Sequence, residues 1–318
     1  FQAEDGIRDA QESRGLGDVY KRQAEGLASL RAAERRSFQL GGSQILVQCN
    51  PARAASASAK VDAASLAARP CFLCGANLPR EQCAVVYRRD WLILCNPAPI
   101  LEPHYTVASV RHEPQRLEPA LPAILSLARD LEGRYTVFYN GPRAGASAPD
   151  HLHLQASKAG ALPFEKELIR QLCGGNGDWI DWVCSNGVRV GTTRNGRRAA
   201  VIVISGSVES TMSSVGRVLE VLGRIRPADP EPMVNLFATY ADESWVTWLF
   251  PRAAHRPSVY GLSPEAFLIS PGAIDLAGEL IVPRRGDLER LDEARIRALY
   301  DEVLLPPEQM QLLRSQLG

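Results

Sequence analysis

The chain has 318 residues, of which 45% are hydrophobic and 23% are charged, a balance typical of a globular protein with a substantial core, in one large domain or two. Lys and Arg together number 36, as do Asp and Glu, so the formal net charge is zero. This balance argues against nucleic acid and anionic membranes as partners. No apolar run approaches the roughly 20 residues of a membrane-spanning helix, and no signal-peptide segment is seen at the start.

The chain has seven cysteines, which is an odd number, and they are too sparse for the disulfide framework of a small secreted protein. The cysteine usage therefore predicts a reducing, cytoplasmic location. Two cysteines are candidate metal ligands. The other five are predicted to be small buried hydrophobic residues, namely Cys49, Cys83, Cys95, Cys173 and Cys184.

Residues 1–23 resemble a translated sequencing adaptor and are polar without periodicity, so we expect a non-native, disordered leader. Beyond them the hydrophobic periodicity predicts an α+β fold in two halves, 24–172 and 173–318. The elements predicted in the first half are a helix at 24–36, a strand within 38–49 with a turn at Gly41–Gly42, a weak helix or loop at 50–68, strands at 85–87, 91–95 and 105–110, a helix at 117–131, strands at 135–139 and 152–156, and a helix at 164–172.

The boundary between the halves falls within 172–198, which is rich in Gly, Asn and Asp. Trp179 and Trp182 indicate a packed excursion there rather than a free linker. After it the pattern of the first half recurs. The elements predicted in the second half are a strand at 199–204, a helix at 210–222, a hairpin of 233–240 with 245–250, a strand or helix end at 278–282, and helices at 288–304 and 308–317.

The segment His151-Leu152-His153-Leu154-Gln155 carries the strongest chemical signal. Its alternation has period two, so on a strand His151, His153 and Gln155 share one face while the two leucines face the core. A Gly-rich loop, Asn140–Ser147, precedes it. An imidazole can attack phosphorus while the loop and the amide hold phosphate oxygens, so the pattern predicts a phosphate-ester site. The alternative is that both histidines lie on the exposed face of an edge strand.

Cys71-Phe72-Leu73-Cys74 is a C-x-x-C motif followed by Gly75, which allows two thiolates to meet one metal ion. A structural zinc site needs two further ligands, and His112 and His151 are the best candidates. Two alternatives remain open. One is a thioredoxin-like redox pair, although the motif does not open a helix after a strand. The other is a pair of reduced structural cysteines.

These motifs resemble the active segment of the histidine-triad superfamily. The more similar branch has Gln in place of the third histidine and contains galactose-1-phosphate uridylyltransferase, the diadenosine tetraphosphate phosphorylases (ATP adenylyltransferases) and the GDP-hexose phosphorylases. Within it, the whole chain is most similar to a bacterial family of uncharacterised function. The resemblance covers about residues 45–290 and is strongest at 96–155; the segments that carry it are Asn96–Ile100, His104–Val107, Asn140–Ser147, His151–Gln155, Asn235–Thr239, Trp245–Arg252 and Ser270–Leu280.

The resemblance implies a role for each matching residue. His153 is the nucleophile that forms a covalent nucleotidyl-histidine, and Gln155 hydrogen-bonds the transferred phosphate. Ser147 and the backbone from Gly141 to Gly145 form the phosphate-binding loop, which Asn140 supports. His151 belongs both to the catalytic segment and to a structural zinc site; the implied zinc ligands are Cys71, Cys74, His112 and His151.

The resemblance also implies two histidine-triad-like halves, of which the second is similar to the C-terminal region of the ATP adenylyltransferases, and a homodimer. The implied reaction transfers a nucleoside monophosphate from a dinucleoside polyphosphate or nucleotide sugar to phosphate or a sugar phosphate. One alternative is a hydrolase that uses water as the acceptor. Another is a non-catalytic nucleotide-binding protein. Zinc as the catalyst is disfavoured because the ligand set is already full.

Several charged residues and histidines stay ambiguous at this stage. Arg143, Arg252 or Lys158 could neutralise phosphate oxygens, or could be solvated charges. His104 could contact the ligand, whereas His255 is predicted to cap or decorate a loop. The spacing from Ser147 to His151 is one residue longer than in the family, which leaves the role of Ser147 open. The sequence does not determine the nucleobase or the acceptor.

Overall fold

The computed structural model describes residues 21, 23–80, 82–174, 179–194, 196–227 and 231–317. Most of the predicted leader, 1–23, lies outside the described residues. Thirteen strands are described, β1 to β13: Glu34–Leu40, Ser43–Cys49, Val85–Tyr87, Trp91–Cys95, His104–Ser109, Tyr135–Asn140, His153–Lys158, Ile180–Ser185, Val188–Thr193, Val201–Ser205, Val234–Ala241, Ser244–Pro251 and Glu279–Val282.

Helical residues 23–32 form α1. The helices that follow, α2 to α10, are Ala54–Ala57, Ala63–Ala67, Leu117–Asp130, Pro163–Leu172, Val208–Ile225, Ala273–Leu276, Arg285–Arg290, Glu293–Val303 and Pro307–Leu317. Short 3₁₀ turns lie at Pro51–Arg53 and Gly75–Asn77. Among the described residues, no helix combines the length and the apolar character needed to cross a membrane.

A small sheet of three strands has the order β1-β2-β13. β1 and β2 form an antiparallel hairpin whose turn is Gly41–Gly42, and both glycines have positive φ, at 56° and 78°. A two-residue hairpin turn of this type needs positive φ at both positions, which glycine adopts without strain. β13 then adds to β2 in parallel, from more than two hundred residues along the chain.

The large sheet has ten antiparallel strands in the order β3-β4-β5-β7-β6-β11-β12-β10-β9-β8. Its two halves repeat one topology. In each half three strands form a meander, a long helix follows, and a strand pair returns so that its second strand lies beside the third strand of the meander. β6 pairs with β11 to join the halves, with Asn140 opposite Asn235. The α+β fold with two antiparallel halves is therefore confirmed.

The core lies between the sheet and the two long helices. α4 contacts β6, β11 and β12, and α6 contacts β10 and β12. The apolar positions of α4 recur at helical spacing and are buried: Leu117, Leu121, Ile124, Leu125 and Ala128 among them. Helices of this kind bury one apolar stripe and leave the opposite face polar. The other face of the first half-sheet stays available for a site.

Most predicted elements are present, with four corrections. The helix predicted at 24–36 ends at residue 32, and residues 34–36 belong to strand β1. Pairing with the buried strand β2 overrides the helical preference of these exposed, charged residues. Within 173–198 the structure has an antiparallel hairpin, β8 with β9. The single helix predicted at 288–304 is broken at Leu291 into α8 and α9. Of the five cysteines predicted to be buried, only Cys49 is; the exposed ones are Cys83, Cys95, Cys173 and Cys184.

Candidate active site

The H-x-H-x-Q segment leads into β7, whose first residue is His153. His153 and Gln155 line one cavity, whereas His151 precedes the strand and its Nδ1 lies 3.3 Å from Sγ of Cys71, so the shared face predicted for all three residues holds only for His153 and Gln155. Gln155 is paired with Thr106 on β5 and with Phe138 on β6, so these three side chains form a row across the sheet. Thr106 and Gln155 line a cavity on this face, while Leu154 is buried on the other. The sheet therefore provides a rigid floor for the polar side chains.

His153 is oriented by two hydrogen bonds. Its Nδ1 lies 2.8 Å from the carbonyl oxygen of His151, so Nδ1–H donates and Nε2 keeps its lone pair. Its backbone N–H donates to Oε1 of Gln115 at 2.8 Å. The side chain is only 5% exposed and lines the cavity. The orienting carbonyl is the arrangement that a nucleophilic imidazole requires.

Gln155 is oriented in turn by His104. The Nδ1 atom of His104 accepts the backbone N–H of Ile100 at 3.2 Å, so Nε2 carries the hydrogen and donates to Oε1 of Gln155 at 2.7 Å. With its oxygen occupied, the Gln155 amide has its NH₂ group free to donate into the site. The sequence left undecided whether His104 contacts the ligand. In the structure His104 is buried behind Gln155, and it positions the Gln155 side chain.

Burial, and to a lesser extent the charge of Arg53, lowers the pKa of His104 to about 4, against the opposing effect of the bond to Gln155. The imidazole is therefore neutral at pH 7. The folded-state pKa lies below the unfolded value near 6.5, so the contribution to stability is complete above that value and is lost as the pH falls towards 4.

We predict that the free energy of unfolding falls as the pH is lowered from about 7 to about 5, with His104 contributing up to roughly 1.4 kcal/mol per pH unit. A His104→Gln variant keeps a donor for Gln155 and does not titrate, so its decline should be shallower. Urea unfolding of both proteins at several pH values measures the difference. Parallel curves would contradict the assignment.

Cys71, Cys74, His112 and His151 converge as the sequence predicted, and their ligand atoms all lie within 4.8 Å of one another. Sγ of Cys71 is 3.3 Å from Nδ1 of His151, and Sγ of Cys74 is 3.2 Å from Nδ1 of His112. These separations are near the roughly 3.6 Å edge of a tetrahedron with metal–ligand bonds of about 2.2 Å. Nε2–H of His151 donates to the carbonyl of Ser109 at 2.8 Å, which leaves Nδ1 for a metal. The four residues fit a metal ion.

The Gly-rich loop is tied to both halves of the molecule. Oδ1 of Asn140 accepts from Nδ2 of Asn235 at 2.8 Å and from the backbone N–H of Ala273 at 2.7 Å. Gly145 has a φ of +95°, and a Cβ there would lie 2.6 Å from Cα of Gly272. Only glycine allows this approach. Gly145 and Ser147 line a narrow second cavity, and Ser147 also lines the first.

The first cavity has a volume of about 640 Å³. Its apolar lining includes Phe72 and Leu73 from the C-x-x-C segment. The described lining also carries Arg53, Lys60 and Arg69 and no carboxylate, and Arg69 lies over the ring of Phe72 at 4.9 Å. A cavity that combines apolar walls with cations suits a ligand with a flat base and an anionic tail.

The second cavity, of about 90 Å³, adjoins the first and shares Arg53, Ser147 and Gln155 with it. Its far wall comes from the second half and includes His255 and Arg256. Burial, and to a lesser extent the nearby charges of Arg252, Arg256 and Arg143, lowers the pKa of His255 to about 4. His255 lies in a loop, as predicted, and this loop also contributes to the second cavity.

Of the three cationic residues that the sequence suggested as phosphate contacts, Arg252 and Lys158 line neither cavity, whereas Arg143 lies near His255. Arg252 is 2% exposed, and its guanidinium donates to the carbonyls of Pro271 at 2.8 Å and His255 at 2.7 Å, so it organises the loop and lines neither cavity. Lys158, at the exposed end of β7, lines neither. Arg143 is exposed but close enough to act on the pKa of His255.

Sequence reasoning missed three supporting residues. Gln115 bonds both strands of the site: its Nε2 donates to the carbonyls of Asn140 at 2.8 Å and His153 at 3.0 Å. Asn235 holds the loop through Ala144 O at 2.6 Å, and Arg256 donates to Ser270 Oγ at 2.9 Å. None lies in a recognisable motif, although Asn235 is within a segment that carries the resemblance.

A family model described as Domain of unknown function (DUF4922) matches residues 16–158. No curated protein matches significantly. A structure of yeast Ap4A phosphorylase Apa2 aligns over 92% of this chain and 97% of its own, at 17% identity and a TM-score of 0.57. Its complexes with AMP and with Ap4A align over 92% and 91% of this chain and 97% of theirs, both at 18% identity and a TM-score of 0.56.

The DUF4922 match includes the four clustered Cys and His residues and the H-x-H-x-Q segment. The likeness to Apa2 extends through both halves. At these identities it is the fold that the two proteins share. The chain thus has the two-half fold of the yeast Ap4A phosphorylase, as the sequence resemblance implied.

Proposed function

We propose that the chain is a nucleotidyltransferase that moves a nucleoside monophosphate through a covalent intermediate on His153. The donor is a dinucleoside polyphosphate or a nucleotide sugar, and the acceptor is phosphate or a sugar phosphate. The observation that carries the proposal is the orientation of His153, whose Nδ1 bond to the His151 carbonyl leaves Nε2 available beside a cation-lined cavity. Apa2, whose fold the chain shares, is an Ap4A phosphorylase with structures in complex with AMP and Ap4A.

The chemistry balances in two displacements. Nε2 of His153 attacks the α-phosphorus of the donor; a P–N bond forms, the P–O bond to the leaving group breaks, and the leaving phosphate keeps the electron pair. An oxygen of the acceptor then attacks the same phosphorus, a P–O bond forms, and the P–N bond breaks to return the neutral imidazole. The His151 carbonyl stabilises the ring while it carries positive charge.

The remaining residues bind and orient the substrate. The NH₂ group of Gln155 donates to the phosphate as charge develops, because His104 occupies its oxygen. Arg53 and Arg69 offset charge on the nucleotide, and Arg256 does so from the second half. Phe72 provides an apolar surface at the base end.

We propose zinc as the ion held by Cys71, Cys74, His112 and His151, since paired thiolates and imidazoles are its usual ligands. With four protein ligands it leaves no position for a substrate. When bound it would supply cross-linking of the 71–74 segment to β7, and no chemical step. The division into halves at residue 172, a homodimer and a cytoplasmic location stay predictions.

Intact-mass spectrometry tests the function. The protein is incubated with UDP-glucose, a GDP-hexose, ADP-glucose and diadenosine tetraphosphate, with His153→Ala as the control. We expect a mass increase of one nucleoside monophosphate from at least one donor, absent in the variant, and the added mass identifies the base. Donors that bind without any adduct would contradict the transferase and favour direct hydrolysis or a non-catalytic binder. Product analysis with and without phosphate then identifies the acceptor.

We predict that Gln155→Ala lowers kcat by roughly 10²–10³-fold, the cost of losing one transition-state donor. Gln155→Glu is the matched variant: it keeps the length and can still accept from His104, but offers no NH₂ and repels the phosphate. Both should melt near the wild-type temperature. Steady-state kinetics with the donor found by mass spectrometry measures the effect, and a Glu variant as active as wild type would contradict the role.

A further inference from the structure

We propose that the segment Ala54–Ala68 is a lid over the nucleotide cavity and that the second half of the chain holds it closed. The inference rests on the proposed function, since it concerns access to the same site. No residue of the segment is buried. Seven of its residues line one or both cavities at His153: Ala55, Ser56, Ala57, Ala59, Lys60, Val61 and Ser65. The segment therefore forms a wall between these cavities and the solvent.

The segment has little apolar surface to bury. Of its 15 residues, eight are alanine and three are serine. Hydrophobic stabilisation scales with the apolar area removed from water, and these side chains offer little of it. None of them belongs to the hydrophobic core. The helices α2 and α3 have four and five residues, far below the length at which an isolated helix is stable. Neither packing nor helix propensity therefore fixes the segment in place.

The two ends of the segment are anchored. Just before it, Nη1 of Arg53 donates to the carbonyl of Ala98 at 2.9 Å. Just after it, Nη2 of Arg69 donates to the carbonyl of Ser147 at 3.3 Å, and Cys71 follows with its contact to the metal-ligand cluster. Movement is thereby confined to the residues between these anchors.

Two hydrogen bonds from the second half hold the middle of the segment. Nη2 of Arg256 donates to the carbonyl of Ala59 at 3.0 Å, and the hydroxyl of Tyr260 donates to the carbonyl of Ala57 at 3.1 Å. Within the described structure, these are the hydrogen bonds that reach the segment from distant parts of the chain. We call the two donors the latch. Opening the lid requires both bonds to break.

The latch is itself held firmly. Nε of Arg256 donates to Oγ of Ser270 at 2.9 Å, and its guanidinium lies 4.1 Å from the ring centroid of Tyr260. Between the two donors, the backbone N–H and the hydroxyl of Ser258 donate to Glu302 of α9, at 2.6 and 3.0 Å. The donors are therefore fixed, and the weakly packed segment is the part that moves.

The charges at the large cavity couple closure to the ligand. Lys60 lies on the segment, Arg53 and Arg69 lie at its ends, and the described lining of that cavity has no carboxylate. These like charges repel one another, which favours moving Lys60 away from the cavity. An anionic nucleotide reverses the balance because it attracts all three. The nucleotide thus interacts more favourably with the closed state, which is the condition for a ligand to close a lid.

Hydrogen exchange of the full chain tests the lid, with AMP as the probe. Exchange is followed by mass spectrometry from the subsecond range in peptides that cover 54–68. With AMP at about ten times its calorimetric Kd, exchange of the segment should slow by about tenfold, because it then occurs only from the unbound, open state. The hairpin of β8 and β9, at the far edge of the sheet, should exchange as before.

Tyr260→Phe tests the latch, since it keeps the ring beside Arg256, removes one donor and lies outside both cavities. Without ligand, it should speed exchange of the segment by about two- to tenfold, the effect of one hydrogen bond. Tyr240→Phe is the matched control, a half-buried tyrosine of β11 that should leave the segment unaffected. A Tyr260→Phe variant whose segment exchanges like wild type would overturn the latch.

The outcomes separate the lid from the transferase. Bound AMP that leaves exchange of the segment unchanged would show a static wall and overturn the lid, while the nucleotide site would stand. Protection by AMP without any adduct on His153 would overturn the transferase and support the lid. No binding at millimolar AMP would overturn both.

Discussion

Replacing His153 by alanine is expected to lower kcat by roughly 10⁴- to 10⁶-fold, the loss seen when a nucleophile is removed from a preorganised site. The two other histidines nearest to it in the described structure are engaged elsewhere. The Nδ1 atom of His151 is directed to the two cysteines and its Nε2 to the Ser109 carbonyl, and the His104 Nε2–H is engaged by Gln155. Steady-state and single-turnover rates with the donor identified by mass spectrometry measure the loss.

The control is that the variant remains folded and competent to bind. The backbone bond from His153 to Gln115 does not depend on the side chain, so Gln115 should still hold β6 and β7 together. We expect an unchanged melting temperature, unchanged metal content and nucleotide binding of similar strength. A variant that folds, binds nucleotide and retains more than about 1% of kcat would show that the reaction does not pass through His153.

The parts of the site that the sequence revealed are those carried by one short segment. Within H-x-H-x-Q, His153 and Gln155 lie on one face because the strand period is two. C-x-x-C likewise fixes two ligands locally, and the chain has only five histidines to supply the others. The four ligand atoms do converge.

What the sequence could not reveal is the support from distant segments. Gln115 reaches His153 from 38 residues away, and Asn235 reaches Asn140 from 95 residues away. The Asn235 contact exists because β6 pairs with β11, a long-range pairing that no local pattern specifies. The same holds for β13, which joins the small sheet in parallel. The position of His255 beside the second cavity could not be foreseen for the same reason, since only the fold brings its loop there.

The exposed cysteines show a limit of composition-based reasoning. Cysteine is often buried, but Cys95 ends β4 and lines the large cavity, and Cys184 lies on the edge strand β8. Their exposure follows from their positions in the sheet rather than from hydrophobicity. Cys184 is thereby a useful control for the metal-ligating cysteines.

Loss of the metal-ligand cluster should have the second-largest effect. We expect Cys71→Ser to reduce the bound metal from one ion per chain to none and to lower the free energy of unfolding by several kcal/mol, less than the roughly 10–16 kcal/mol that zinc supplies to an isolated finger peptide. The cost is smaller here because the 71–74 segment also packs on Leu94 and Ala108. Metal analysis and chemical unfolding measure both changes, with Cys184→Ser as the matched control.

The cluster also connects stability to nucleotide binding. Phe72 and Leu73 lie between the two cysteine ligands and line the base end of the large cavity. Without a metal the segment loses the cross-link to His151 that holds it against the strand of His153. We therefore expect Cys71→Ser, and wild-type protein treated with a chelator, to bind AMP more weakly while Cys184→Ser binds it normally. If AMP affinity is unchanged after complete metal removal, the cluster does not order the base end of the cavity, and its contribution is confined to folding.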